Sequence, residues 1–160
     1  MSRGLGDVYK RQEEQLRAQL KRLLESQKMT EQEAECIRIR DIRRFVESGL
    51  GQRMKKAAMK KHLYREQPFV IQRNASMLDD GWKNETVLVQ GIIDAYFMEE
   101  EEIVLVDYKT DRVKRGQEQK LIDLYHVQLE DYARALERMT GKRVKEKIIY
   151  SFTLQKEILL

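Results

Sequence analysis

Asp94, Asp107 and Lys109 are the residues of this chain whose types and spacing could do chemistry. They lie in one stretch, Val87 to Asp111, which reads VLVQGIIDAYFMEEEEIVLVDYKTD. Two apolar runs, Val87–Phe97 and Ile103–Tyr108, flank the acidic cluster Glu99–Glu102 and read as the strands of a hairpin. Strand side chains alternate between faces, so Asp107 and Lys109 share one face, and Asp94 shares a face with Ile92 and Leu88. An antiparallel pairing would bring Asp94 near Asp107. Two carboxylates and an ammonium would then converge in an apolar setting, which is costly unless they are paired or bind a cation. A divalent cation relieves carboxylate repulsion, and Mg²⁺ prefers oxygen ligands while keeping several waters. Water activated by such an ion beside a lysine is a nucleophile suited to phosphodiester hydrolysis. The lysine would place or deprotonate that water, or stabilise charge on the phosphate. Asp-x-Lys by itself reads as an exposed ion pair. Asp94 inside an apolar run is the stronger signal, because its burial demands a partner.

The elements that must position these residues follow from pattern. Leu16, Leu20, Leu23 and Leu24 recur at helical spacing over Glu13–Ser26. Thr30-Glu31-Gln32-Glu33 is a capping box opening a second helix, with Ala34, Ile37, Ile42, Phe45 and Val46 turned inward. Ser48-Gly49-Leu50-Gly51 ends it. A basic third helix is expected over Gln52–Lys61, with Met54, Ala58 and Met59 as its inner residues. Tyr64–Ile71 reads as a strand, and Pro68 within it suggests a sheet edge. Arg73–Asn84 reads as a connection. After the hairpin, Asp111–Gln117 is a basic loop. Gln119–Met139 then reads as a long helix with Leu121, Leu124, Tyr125, Gln128, Leu129, Tyr132, Ala133 and Leu136 on one broad face. Gln128 and Tyr132, four apart, are neighbours there. Thr140-Gly141-Lys142 stops the helix, and Lys147–Thr153 reads as the last strand. Helices against one mixed sheet make an α/β or α+β domain.

Composition bounds the rest. The chain has 160 residues, 41% hydrophobic and 36% charged, with a net charge of +4. That suffices for one folded domain with a charged surface. The mild basic excess, clustered at Arg53–Lys61 and Arg112–Lys120, is compatible with nucleic acid. One cysteine, Cys36, excludes an internal disulfide and a cysteine-built zinc site. No apolar run is long enough to span a bilayer, so no membrane role and a cytoplasmic location are expected. No phosphate-binding GxxxxGK[ST] loop is present. Residues 1–12, MSRGLGDVYKRQ, have no clear period and read as a non-native leader. Residues 13–160 are then expected to form the folded domain, a fragment of something longer.

Gly91-Ile-Ile-Asp94, then Asp107-Tyr108-Lys109-Thr110, then Gln128-x-x-x-Tyr132, in that order, resemble the RecB-like branch of the PD-(D/E)xK nuclease superfamily. VLVQGIIDAYF, VLVDYKTDRV and VQLEDYARALE are similar to the C-terminal nuclease domain of AddA-type helicase–nuclease subunits, and the likeness covers most of Glu13–Phe152. The resemblance implies a restriction-endonuclease-like α/β core with a mixed central sheet, flanking helices and further N-terminal helices. It implies a metal-dependent deoxyribonuclease using Mg²⁺, with Mn²⁺ as a substitute. Asp94, Asp107 and the Tyr108 carbonyl would hold metal. Lys109 would be the catalytic lysine, and Gln128 and Tyr132 would support the site and contact DNA. Implied partners are single-stranded DNA produced by unwinding, duplex ends, a helicase region of the same longer chain, and an AddB-type subunit, in repair of double-strand breaks. Such nucleases also carry an upstream histidine motif. His62 and His126 do not fit it, and truncation upstream would explain the gap. Two other readings compete: a non-catalytic or incomplete DNA-binding module, and a stand-alone RecB-like exonuclease.

Overall fold

In a computed structural model the described residues are 39–74 and 85–160, with Arg11, Glu14, Gln15 and Ala18 as isolated helical positions. The expected helix over Glu13–Ser26, the capping box at Thr30, Ala34, Cys36, Ile37 and most of the Arg73–Asn84 connection otherwise lie outside them. Helices α1 (Ile39–Glu47) and α2 (Gly49–Met59) lead into strands β1 (Leu63–Asn74), β2 (Thr86–Glu99) and β3 (Glu102–Lys109). Helix α3 (Glu118–Thr140) and strands β4 (Val144–Ser151) and β5 (Lys156–Leu159) follow.

The five strands form one sheet in chain order. β1–β2, β2–β3 and β4–β5 are antiparallel, while β3–β4 is parallel. A parallel pair needs a long crossover, and α3 supplies it. The α/β expectation with a mixed central sheet therefore holds. β3 is buried from Ile103 to Asp107, because helices cover both of its faces. On one face α1 and α2 pack Ile42, Phe45, Leu50 and Met54 against Phe97, Val104, Val106 and Tyr150. On the other, Leu121, Leu129, Tyr132 and Leu136 of α3 pack against Ile93, Ile103, Leu105 and Ile149.

The α1–α2 corner departs from the pattern. Ser48 does not merely end a helix; its Oγ caps α2 by accepting from the Gly51 N–H at 3.1 Å, and it donates to the Phe45 carbonyl at 2.5 Å. Gly51 lies inside α2, where a Cβ would sit 2.2 Å from the Phe45 carbonyl oxygen. That neighbour is backbone and has no rotamer with which to yield. Gly51→Ala should destabilise the domain by about 2–4 kcal/mol in urea denaturation, the range of severe overpacking. A loss under about 0.5 kcal/mol would mean that the corner is looser than this.

The inner face of α2 is Leu50, Gly51, Met54 and Ala57. Ala58 and Met59 were expected inside but are exposed, Met59 by 78%. The helix begins three residues earlier than its basic run suggests, and that start decides which residues face the sheet. Leu124 is likewise 67% exposed. β1 runs on through Arg73 and Asn74, and β4 starts at Val144 and ends at Ser151, before Thr153. Short β5 gave no readable pattern. β1 is the edge strand that Pro68 suggested. The hairpin turn consists of Glu100 and Glu101, both at positive φ (49° and 70°), the requirement of a two-residue type I′ turn. An ion pair from Lys142 to Glu101 braces it.

At that end of the sheet Arg53 of α2 grips Glu99 with Nε and Nη2, both at 2.8 Å, and reaches Glu146 at 3.0 Å. The Arg53 guanidinium, with Lys145 helping, holds the Glu99 carboxyl down at about 2, while burial opposes the shift. A carboxyl whose folded value lies below its unfolded one adds stability above the unfolded value and loses it as pH falls through the folded one. Arg53→Met should therefore destabilise by about 1–2 kcal/mol at pH 7, as a part-exposed bidentate network warrants. The gap to the parent should narrow between about pH 4.5 and pH 2. Thermal melts at pH 7 and pH 3 check this, and a gap independent of pH would assign the effect to packing over Phe97, whose ring lies 5.5 Å from the guanidinium.

Candidate active site

The candidate site forms where β2 and β3 meet α3. In the β2–β3 ladder Ala95 lies opposite Val106. Pairing ends there, and Asp94 and Asp107 are the next residues beyond it on the two strands. The half-buried Asp94 turns one carboxylate oxygen back to accept the Tyr108 backbone N–H at 2.9 Å. This ties it to the segment that carries Asp107.

Simple alternation misplaces the neighbours of Asp94. Val89 and Ile93 pack with the α3 cluster, whereas Ala95 and Phe97 pack with the α1–α2 cluster. Ile92 and Leu88, expected to share the face of Asp94, are exposed. The change of phase coincides with a gap in the β1–β2 ladder. Pairing passes from Arg65↔Ala95 to Gln67↔Ile93, and Glu66 between them has φ 50°. A break at this point, beside the carboxylate that needs aiming, is a known use of strand irregularity.

Asp107 is only 3% exposed. Its Oδ2 lies 2.8 Å from the Lys109 Nζ, close enough for an ion pair, yet it takes no hydrogen bond with acceptable alignment. A buried carboxylate oxygen left without a directed donor fits a cation as its missing partner. Among the described residues no group of three or more His, Cys, Asp or Glu forms. The protein side thus offers two carboxylates, with the Tyr108 carbonyl adjoining, and leaves other positions to water or phosphate oxygens. That donor set suits Mg²⁺ better than a metal wanting nitrogen or sulfur.

Lys109 is held from several directions. Besides Asp107, its Nζ donates to Gln128 Oε1 at 3.0 Å. It also lies 3.9 Å from the centre of the Tyr125 ring. The Lys109 carbonyl accepts the Phe152 N–H at 2.9 Å, so the end of β3 is fixed by the chain leaving β4. Tyr132, 7% exposed, packs edge-on against Phe69 with ring centroids 5.0 Å apart. Burial, and then the fields of Asp107, Asp94 and Asp131, push its phenol well above the ordinary tyrosine value. It stays protonated, and it lies close enough to feel both carboxylates. The Tyr108 side chain turns to the other face, 5.5 Å from Phe45, where burial is the main cause of its raised phenol value.

The structure thus brings Asp94, Asp107, Lys109, Gln128 and Tyr132 together, with only the backbone of Tyr108 facing them. His126 is exposed on α3, its Nδ1 near the Ile122 and Asp123 carbonyls, and His62 precedes β1. Tyr125 was legible only as part of an apolar stripe. Its place three residues before Gln128 on one helix face was the available signal. Arg73 was read as the start of a connection, but it lies within β1, one residue from its end, and pairs with buried Asp131 at 3.1 Å, bracing β1 on α3.

A family model of the PD-(D/E)XK nuclease superfamily matches residues 3–158. Among curated proteins the chain is 39% identical over 150 residues to an ATP-dependent helicase/nuclease subunit (AddA) of Clostridium novyi. That match covers 91% of the chain and 12% of the relative. Proteins of the same name from Thermoanaerobacter sp. and Acetivibrio thermocellus are 41% and 43% identical over 87% of the chain and 11% of their own lengths. The chain therefore spans about an eighth of the relatives it matches.

Proposed function

Because the chain belongs to the PD-(D/E)XK nuclease superfamily, we propose that it is the Mg²⁺-dependent DNA-cleaving module of a longer AddA-type helicase–nuclease subunit. The observation that carries the reading is the buried Asp107 oxygen beside Lys109, on the strand next to that of Asp94, with no aligned hydrogen bond. Asp94, Asp107 and the Tyr108 carbonyl would hold the ion, with Mn²⁺ as a substitute. When bound, the ion supplies a lowered pKa for water and charge neutralisation at the scissile phosphate. Lys109 orients the attacking water or steadies charge on a phosphate oxygen. Gln128 fixes the ammonium, and protonated Tyr132 offers an O–H at the same cleft. The exposed Arg112, Lys114 and Arg115, directly after the site, meet the phosphates of a strand entering it.

The relatives' name joins a helicase to a nuclease, and the larger setting we propose from it is single-stranded DNA delivered by a helicase region of the same polypeptide, at duplex ends, in recombinational repair. A partner protein of the AddB type and a cytoplasmic location belong to that setting. No helix among the described residues is long and apolar enough to cross a membrane. The direct test is cleavage of end-labelled single-stranded DNA with and without Mg²⁺, using Asp107→Ala as control. Cleavage indifferent to that substitution would remove Asp107 from the reaction. Salt-dependent binding without metal-dependent cleavage would favour the non-catalytic binding module instead.

A further inference from the structure

Lys109 carries one charge but three constraints, and only Asp107 and Gln128 belong to the motif read from the sequence. The third is Tyr125. Its ring face lies 3.9 Å from Nζ, well inside the range at which an ammonium is attracted to an aromatic quadrupole. The ring is itself tethered, because the Tyr125 hydroxyl donates to Asp111 Oδ2 at 2.5 Å. Asp111 is fixed in turn, since Thr153 Oγ1 donates to its carbonyl at 2.7 Å and lies 3.3 Å from that of Thr110. A flexible four-carbon side chain has many rotamers that keep an ion pair with Asp107. Adding a ring face and an amide oxygen on other sides leaves few. Packing alone explains a tyrosine on the α3 stripe, but it does not require the ring to face the ammonium or the hydroxyl to reach the loop.

We propose that Tyr125 is a positioning residue that holds the Lys109 ammonium in place for the reaction, and that Asp111 fixes the ring from the loop. The proposal rests on the reading of Lys109 as a working residue of the nuclease. It makes the first residue of the basic loop part of the lysine's support, so loop and active site share one set of contacts.

NMR and cleavage kinetics of this chain test it together, with Lys109→Met used to assign the lysine signal. An ammonium over a ring places the Lys109 ε-methylene protons in the shielding cone, so they resonate upfield. The upfield position should vanish in Tyr125→Leu and weaken alike in Tyr125→Phe and Asp111→Ala, which remove the same hydroxyl–carboxylate tether from its two ends. Tyr125→Leu should lower kcat roughly tenfold with KM little changed, and Tyr125→Phe, which keeps the ring face but not its tether, should keep an intermediate rate. Ordinary ε-methylene shifts in the parent chain would overturn the proposal, and that measurement needs no variant to fold. A Tyr125→Leu chain with parental kcat would overturn it too. So would a loss confined to KM, which would make Tyr125 a DNA contact. A parent chain that shows the upfield signal yet cleaves nothing would strike the nuclease reading while leaving the placement of the lysine standing.

Discussion

Lys109→Met will lower the cleavage rate by about 10²–10⁴-fold, the span of a lost acid–base or charge-stabilising group, and it will also weaken the domain itself. The second effect follows from Asp107. That carboxylate is 3% exposed, and Lys109 lies 2.8 Å from its Oδ2. Methionine keeps the length of the side chain and removes the cation, leaving a buried charge without its counterion. Breaking one side of a fully buried pair costs about 3–5 kcal/mol. Lys109 retains some exposure and Asp94 faces the same space, so about 2–3 kcal/mol is expected in urea denaturation without metal. A lysine merely exposed to the cleft could be removed without harm to folding. The ion pair makes Lys109 both a site residue and a structural one. The two roles separate experimentally. Divalent cation should stabilise Lys109→Met more than it stabilises the parent, because the ion restores the positive charge Asp107 lost. Cleavage should stay lost even when stability returns. Recovery of cleavage with added metal would show that Lys109 only balances charge. An unchanged denaturation midpoint without metal would show that Asp107 is solvated well enough to stand alone.

How far this site could be read from residues depends on which rule governed each one. Asp107 and Lys109 were placed on one face because β3 is short and flanked on both sides, and its side chains alternate between the two cores. Asp94, an acid within an apolar run, does take a partner, the Tyr108 N–H, yet its neighbours were misassigned. The break beside Glu66 resets which residues of β2 face α3. Nothing in Glu66 announces a positive φ; the break is a tertiary choice. Gln128 and Tyr132 were legible because helical period survives over a long helix. The contact that orders Lys109 against Tyr125 was not, because a stripe of apolar residues does not say which ring faces a charge. On the opposite face Gly51 illustrates the same limit. Two glycines near Ser48 read as a helix stop, but one serves the close approach of α1 to α2, a reason that exists only once both helices are placed.

Asp94→Asn should end cleavage and leave the metal-free domain more stable, by about 0.5–1.5 kcal/mol. The local charges decide the sign. Two carboxylates stand on neighbouring strands, Asp94 turned to the Tyr108 N–H and Asp107 2.8 Å from the Lys109 ammonium. The raised Tyr132 phenol reports that both acids act on the same space, since Asp107 and Asp94 follow burial among its causes. Asparagine keeps an oxygen able to accept the Tyr108 N–H, now received by Asp94 at 2.9 Å, so the backbone tie survives while the repulsion goes. Alanine would lose that tie as well and leave the Tyr108 N–H unmatched, so it should gain less or nothing. Comparing the two variants therefore separates charge from hydrogen bonding. Adding Mg²⁺ should raise the melting temperature of the parent and not that of Asp94→Asn, reversing their order. Such a reversal is the expected signature of a pair of acids kept near each other for a cation rather than for the fold. If Asp94→Asn instead lowers stability by more than about 1 kcal/mol without metal, its charge is already balanced within the chain. The case for two neighbouring acids awaiting an ion would then fall with it.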